Sequence, residues 1–334
     1  MRGENPLKKS FFSVLLEPIG EPSFSSASCF LYQSMSHSQE LITMTGTEVR
    51  GFRLAKLIGA GAFGAVYQGD SGQDSIAIKI SLNQKAWLVE AEILQSLYSS
   101  NVVPKIHFSN QTGPYHSIGL ELMSFDLETL LDKMTWKAFK KPTLAKLAFQ
   151  ATQCLQVLHG KRIIHRDYKL TNMAVTIPST PNKRVVLKLL DFGHATVYSD
   201  ENGNLLEDGR KLDFSKCRYA AHDVQMGLDP TPKDDLVMLS YGIIYGSGFD
   251  ISQKLSLPSE QLLAWKHDLL INPSDALPGL LKWMSQWYKE IGYLDDILPI
   301  RYGVLKMKIQ EGIEDYDVRA DLMLELEDGV PVLV

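Results

Sequence analysis

His165-Arg166-Asp167-Tyr168-Lys169-Leu170-Thr171-Asn172 is the stretch on which the reading of this 334-residue chain turns. It places a proton acceptor, a cation and a hard amide oxygen in one short loop. Before it, residues 143–159 alternate apolar and polar residues with helical spacing, opened by Pro142 and closed by Gly160, which predicts a long amphipathic helix. After it, Asp191-Phe192-Gly193 ends the apolar run 185–190, so a predicted strand delivers a second acid into a turn. Taken singly, Asp167 reads as a loop cap and Asn172 as a turn residue. Their order and spacing ahead of Asp191 favour joint chemistry instead.

Upstream, Gly59-Ala60-Gly61-Ala62-Phe63-Gly64-Ala65-Val66 supplies glycines of the kind that let a backbone approach a ligand closely. A dinucleotide-binding loop uses the same three glycines, but it runs into a helix and has an acid about 20 residues on. Here residues 65–69 read as a returning strand and Ile76-Ala77-Ile78-Lys79 as the next one, so the glycines sit at a hairpin tip. Apolar runs at 54–58, 65–67 and 76–80 predict a small antiparallel sheet, followed by a helix over 85–98 and strands over 105–109 and 116–122. A short connection at 123–125 leads to a part that is mostly helical beyond Asp126. Strands first and helices later predict a two-lobed α+β protein. A lysine in a cleft, such as Lys79, needs an anionic partner to stay charged and aimed. Glu90, four residues before Leu94, is better placed for this on its helix than Glu92.

With 45% hydrophobic and 22% charged residues the chain can bury a substantial core. A net charge of −5 argues against a nucleic-acid-binding surface. No apolar run approaches the ~20 residues of a membrane span, and Glu17-Pro18 interrupts Phe11-Phe12-Ser13-Val14-Leu15-Leu16 too early for a signal sequence. A cytoplasmic or nuclear location is expected, with no membrane or nucleic-acid partner, as a monomer. Cys29, Cys154 and Cys217 show neither CxxC nor Cys/His ligand spacing, so no zinc site or disulfide framework is expected. The expected organisation is a Ser-rich, disordered extension over 1–49, a first lobe over 50–123, a second over 124–326 and a short tail over 327–334.

With the glycine loop, Lys79, the 165–172 loop and Asp191-Phe192-Gly193 in this order, residues 50–325 resemble a protein kinase. The resemblance implies a bilobal kinase fold, with a small antiparallel-sheet N-lobe carrying one main helix and a larger helical C-lobe. It implies transfer of the γ-phosphoryl group of ATP, with Mg²⁺, to hydroxyls of protein substrates. Asp167 is then the base that orients the acceptor hydroxyl, and Lys169, which points to the Ser/Thr class, stabilises the transferring phosphoryl. Lys79 with Glu90 holds the α/β-phosphates, while Asn172 and Asp191 hold the metal. Gly59, Gly61 and Gly64 cover the phosphates. Ile58, Val66 and Ala77 roof the adenine, Leu120 faces the pocket, and the backbones of Glu121 and Met123 read the base. Ala174 stands at the floor, where a leucine is usual. The missing contact is expected to cost about 1–2 kcal/mol of nucleotide binding, which Ala174→Leu should restore. His165 packs under Phe192. Two other readings are a pseudokinase scaffold that binds partners without transfer, and a small-molecule phosphotransferase of the aminoglycoside kinase type. The first lacks support because every chemical group is present, and the second because Lys169 and Asp191-Phe192-Gly193 are intact.

Within the kinases, Trp87-Leu88-Val89-Glu90, Arg218-Tyr219-Ala220-Ala221 and Asp234-Asp235-Leu236 resemble the casein kinase I and tau-tubulin kinase group. Leu170, where proline is usual, Ala221-His222-Asp223 and Ser240 depart from that pattern. The resemblance implies that Asp235 anchors the 165–172 loop from below. It also implies acidic or already phosphorylated substrates, read by Arg218 with Lys216, Arg210 and Lys211, while the other reading of Arg218 is a structural ion-pair donor.

Overall fold

The computed structural model describes residues 40–61, 63–72, 74–176, 184–206, 208, 212–294, 299–327 and 329–334. Six strands form an antiparallel sheet in the order β1-β2-β3-β4-β6-β5: β1 Glu48–Val49, β2 Phe52–Gly61, β3 Gly64–Ser71, β4 Asp74–Ser81, β5 Ile106–Thr112 and β6 Tyr115–Glu121. The strands follow the period-two alternation of their sequences. Ala65, Tyr67 and Ile78 are buried, while Val66, Gln68 and Ala77 are half-buried on the opposite face. The register pairs Val66 with Lys79, Gln68 with Ala77 and Ala77 with Leu120, so these five side chains share one face. Helix α1, Gln84–Ser96, is capped by the Asn83 side chain, which accepts from the Ala86 N–H at 3.1 Å.

The chain crosses to the second lobe at residues 122–124. There follow β7 Phe125–Asp126, α2 Leu127–Lys133, α3 Lys141–Gly160, β8 Ile163–Ile164, β9 Met173–Val175, β10 Leu187–Leu189 and β11 Thr196–Val197. Then come α4 His222–Gln225, α5 Pro232–Gly246, α6 Ile251–Leu255, α7 Ser259–Ile271, α8 Pro273–Ala276, α9 Ser285–Gly292 and α10 Tyr302–Glu311, and finally β12 Leu324–Glu327 and β13 Val330–Leu333. Three small sheets, β10-β9-β7, β11-β8 and β12-β13, brace the helices. Helix α3 begins with Pro142 in its first turn and packs on α5 and α10, and its Leu144, Ala148, Leu155 and Leu158 are each at most 1% exposed. One large apolar core runs from Ile93 and Leu94 of α1 through the C-lobe, and a smaller one lies in the N-lobe sheet. Among the described residues no helix is long and apolar enough to cross a membrane.

Two expectations change. The N-lobe begins before residue 50: Leu41 is buried in the sheet's core, and the Tyr67 hydroxyl donates to the Leu41 carbonyl at 2.7 Å and accepts from the Met44 N–H at 3.1 Å. A buried phenol needs such partners, and residues 40–49 supply them. Residues 1–39, the rest of the expected Ser-rich extension, lie outside the described residues. The C-terminal stretch is no free tail, because β13 pairs with β12 and buries Val332 and Leu333 in the large core. Cys154 is a buried free thiol.

Candidate active site

Lys79 projects from β4 into the space between α1 and the 191–193 turn. Its Nζ lies 2.9 and 2.7 Å from the two Glu90 oxygens and 2.7 Å from Asp191 Oδ1. Glu90 is 3% exposed while Glu92 faces solvent, so the helical spacing selects Glu90. Burial pulls the Lys79 ammonium down, but Asp191 and then Glu90 outweigh it and hold its pKa well above the usual lysine range. Asp191 shows the reciprocal balance, with burial raising it and Lys79 carrying it well below the ordinary carboxylate range. Asp191 adopts φ +58°, a left-handed conformation that costs a non-glycine residue about 1–3 kcal/mol and concentrates at functional sites.

The glycine loop is the β2–β3 hairpin tip, as its sequence predicts. Gly64 has φ +134°, and a Cβ there would lie 1.9 Å from the Ile80 carbonyl, so glycine is required by the approach to β4. Phe63 turns down onto Gly193 and meets the His194 ring edge-on at 4.3 Å, which places the loop over the acidic end of the cleft.

The 165–172 loop is tied on both sides. Asn172 Nδ2 donates to the Asp167 carbonyl at 2.8 Å and to Asp167 Oδ2 at 3.0 Å, and Lys169 Nζ lies 3.0 Å from the same oxygen. From below, Asp235 accepts from the His165 N–H at 2.7 Å and the Arg166 N–H at 2.8 Å, the anchoring expected of it. His159 adds a third contact to Asp235 at 3.0 Å and also meets the Tyr302 hydroxyl. The His165 ring packs against Phe192 at 4.9 Å and reaches the Leu190 carbonyl at 3.0 Å. Burial pulls Lys169 down, yet Asp167 and then Asp191 raise it, so the two carboxylates act on one ammonium.

Several contributors carry no motif of their own. Arg166, at φ +67°, donates from Nε to the His194 carbonyl at 2.5 Å and from Nη2 to Asp208 Oδ2 at 2.5 Å, and its guanidinium lies 5.3 Å from the Phe214 ring centre. It thus ties three points of the 191–218 segment to the loop. Lys266 on α7 is fully buried and donates to the Arg218 carbonyl (2.8 Å), the Ala220 carbonyl (2.6 Å) and Gln225 Oε1 (2.6 Å), clasping that segment's far end. Neither Asp208 nor Lys266 has a sequence signal that could have found it.

Ile58, Val66, Ala77, Leu120 and Met123 are half-buried around the expected adenine position, and Gly59 and Gly61 lie at its edge. The Met123 N–H makes no hydrogen bond among the described residues, and the Glu121 N–H is used by the Lys105 carbonyl at 2.8 Å. Ala174 differs from expectation. It is 0% exposed, so it does not line an open floor, and its cross-strand partner Lys188 sends Nζ to Glu121 Oε2 at 2.6 Å. Paired residues in antiparallel strands share a face, so the Lys188 stem runs beside Ala174 where a larger side chain was expected.

The anion site drawn from Arg218 and Lys216 does not assemble. Arg218 gives its Nε and Nη2 to the carbonyls of Leu255 and Leu257, closing the turn between α6 and α7. Lys216 is exposed, and Arg210 and Lys211 lie outside the described residues. A metal fits the other end of the cleft. Asn172 Oδ1 and Asp191 Oδ2 make no hydrogen bonds among the described residues, leaving two hard oxygens open beside Lys79 and Lys169, which could hold phosphates.

The protein kinase domain model matches residues 52–224, more than half of the chain. Among solved structures, that of vaccinia related kinase 3 is similar in fold, with a TM-score of 0.66 and 16% identity over 83% of this chain and 95% of that one. Such a domain uses ATP and a divalent metal, which agrees with the donors gathered here. The matched span takes in the hairpin, α1, the anchored loop and Asp191, all of which meet in space, and the chain belongs to the protein kinase family.

Proposed function

We propose that the chain is a catalytically competent Ser/Thr protein kinase that uses MgATP and is a divergent relative of the casein kinase I and tau-tubulin kinase group. The observation that carries this reading is the single ammonium of Lys169, acted on by both Asp167 and Asp191, so that base and metal ligand face one cleft. Lys79, kept charged by Glu90 and Asp191, binds the nucleotide phosphates. Asn172 and Asp191 hold Mg²⁺, which when bound neutralises charge on the phosphate oxygens. Asp167, fixed by Asn172, orients the acceptor hydroxyl and takes its proton as the new oxygen–phosphorus bond forms and the bond to the β-phosphate oxygen breaks. Lys169 neutralises charge on the phosphoryl in flight. Group membership is supported by the residues from Arg218 to Ala221 and by Asp235, whose carboxylate carries the loop backbone.

Incubation of the purified protein with labelled MgATP, casein and aminoglycosides tests the reading, with Asp167→Asn as control. Label on serine and threonine of casein is expected, falling about 10²–10⁴-fold in the control. Retained ATP binding with no transfer would leave a scaffold instead. Label confined to tyrosine or to the small acceptor would overturn the substrate class.

A further inference from the structure

Away from the catalytic cleft, a cavity of about 700 Å³ opens where the 100–102 connection, α3, β10, α10 and the 319–321 segment meet. Its apolar surface includes Val102, Val157, Leu187 and Met307, the last 48% exposed. Its charged members are Arg184, Lys306 and Arg319 against one acid, Asp321. Arg184 is neutralised by Asp321 at 3.2 Å. Among the described residues Lys306 donates to the neutral Gln156 side chain at 2.9 Å and lies 5.9 Å from the centre of the Phe149 ring, neither of which offsets its charge, and the exposed Arg319 guanidinium has no partner. Two uncompensated cations therefore flank apolar surface on a protein whose net charge is −5.

We propose that this groove docks an acidic peptide segment, with apolar anchor residues, of a protein substrate. The inference rests on the reading of the chain as a kinase acting on proteins. The cavity lies within the range of about 300–1,000 Å³ that holds small ligands, or here a few side chains of an extended segment. Its two uncompensated cations come from separate elements, α10 and the segment after it, and so can meet more than one carboxylate. An exposed Met in the lining suits variable apolar anchors, because its unbranched thioether repacks easily. Complementary charge at the rim sets which partner enters and how fast.

Panning a library of short random peptides on the full-length protein tests the site, with the double variant Lys306→Glu and Arg319→Glu as comparison. Enriched peptides should pair two or more acids with an apolar residue. By fluorescence anisotropy their binding should weaken about tenfold or more in the double variant, and in high salt with the unaltered protein. Asp167→Asn protein should bind them as well as wild type, so docking and phosphoryl transfer fail separately. An unchanged melting temperature confirms that the double variant is folded, and the salt dependence needs no variant. Enrichment of basic or purely apolar peptides, binding indifferent to charge reversal, or no enrichment would overturn the proposal.

Discussion

A buried lysine keeps its proton only where nearby carboxylates repay its lost hydration, and Lys79 meets that condition twice, through Glu90 and Asp191. The same local balance makes each position at this site sensitive to what lies across the strand, and Ala174 is the clearest case. It is fully buried beside Lys188, whose ammonium is fixed on Glu121. Leucine there has no open floor to fill. It must displace the Lys188 stem, and overpacking of this kind costs about 1–3 kcal/mol. Ala174→Leu is therefore expected to lower the melting temperature and to leave ATP affinity unchanged or weaker. Tighter ATP binding by calorimetry would restore the sequence-based expectation of an underfilled floor. The identity of the residue was legible, but its surroundings were not, because Lys188 sits in a strand whose pairing partner had to be seen.

At the scale of elements, α5 is held at its N-terminus by Asp234, whose Oδ2 accepts from both the Thr231 N–H and hydroxyl, at 2.7 and 2.8 Å. The next residue, Asp235, carries the 165–172 loop, so the start of one helix positions the candidate base. Burial, and then the Asp235 and Asp223 charges, push Asp234 up to about 7 against the Thr231 bonds. Between its unperturbed value of 3.8 and about 7 the folded protein holds a proton that the unfolded chain has released. Stability from this group is therefore fully present at low pH and is lost as pH rises through 7. Asp234→Asn keeps an acceptor oxygen for Thr231 but cannot ionise. Its melting temperature relative to wild type is expected to climb from about pH 4 to about pH 7 and to level off above that. A difference that stays flat with pH would show that Asp234 is ionised throughout. Asp234-Asp235-Leu236 was visible as a motif, while the burial that shifts the proton comes from the packing of α5.

For the whole molecule, the two lobes are joined by more than the 122–124 connection, since the Leu189 N–H donates to the Val102 carbonyl at 2.8 Å and one apolar core includes α1 and the C-lobe. The N-lobe's own small core depends on Leu41. Leu41→Ala should lower stability by about 2–5 kcal/mol, measured by denaturant unfolding. No change would return residues 40–49 to the status of an unattached extension. The amino-acid sequence by itself determined the two-lobed α+β order, the long helix, the glycine hairpin, and the identities of Lys79, Glu90, Asp167, Asn172 and Asp191. Each of these is written in short-range spacing, through helical period, strand alternation or fixed motif offsets. Only the tertiary structure decided that Arg166 grips Asp208, that Lys266 clasps the 218–225 turn, that Arg218 serves carbonyls, and that Lys188 lies beside Ala174. It also decided that Leu41, ahead of the expected first lobe, and Leu333, in the expected tail, belong to cores. Such contacts join residues far apart in the chain, and their energies come from desolvation and close packing, which no local spacing encodes.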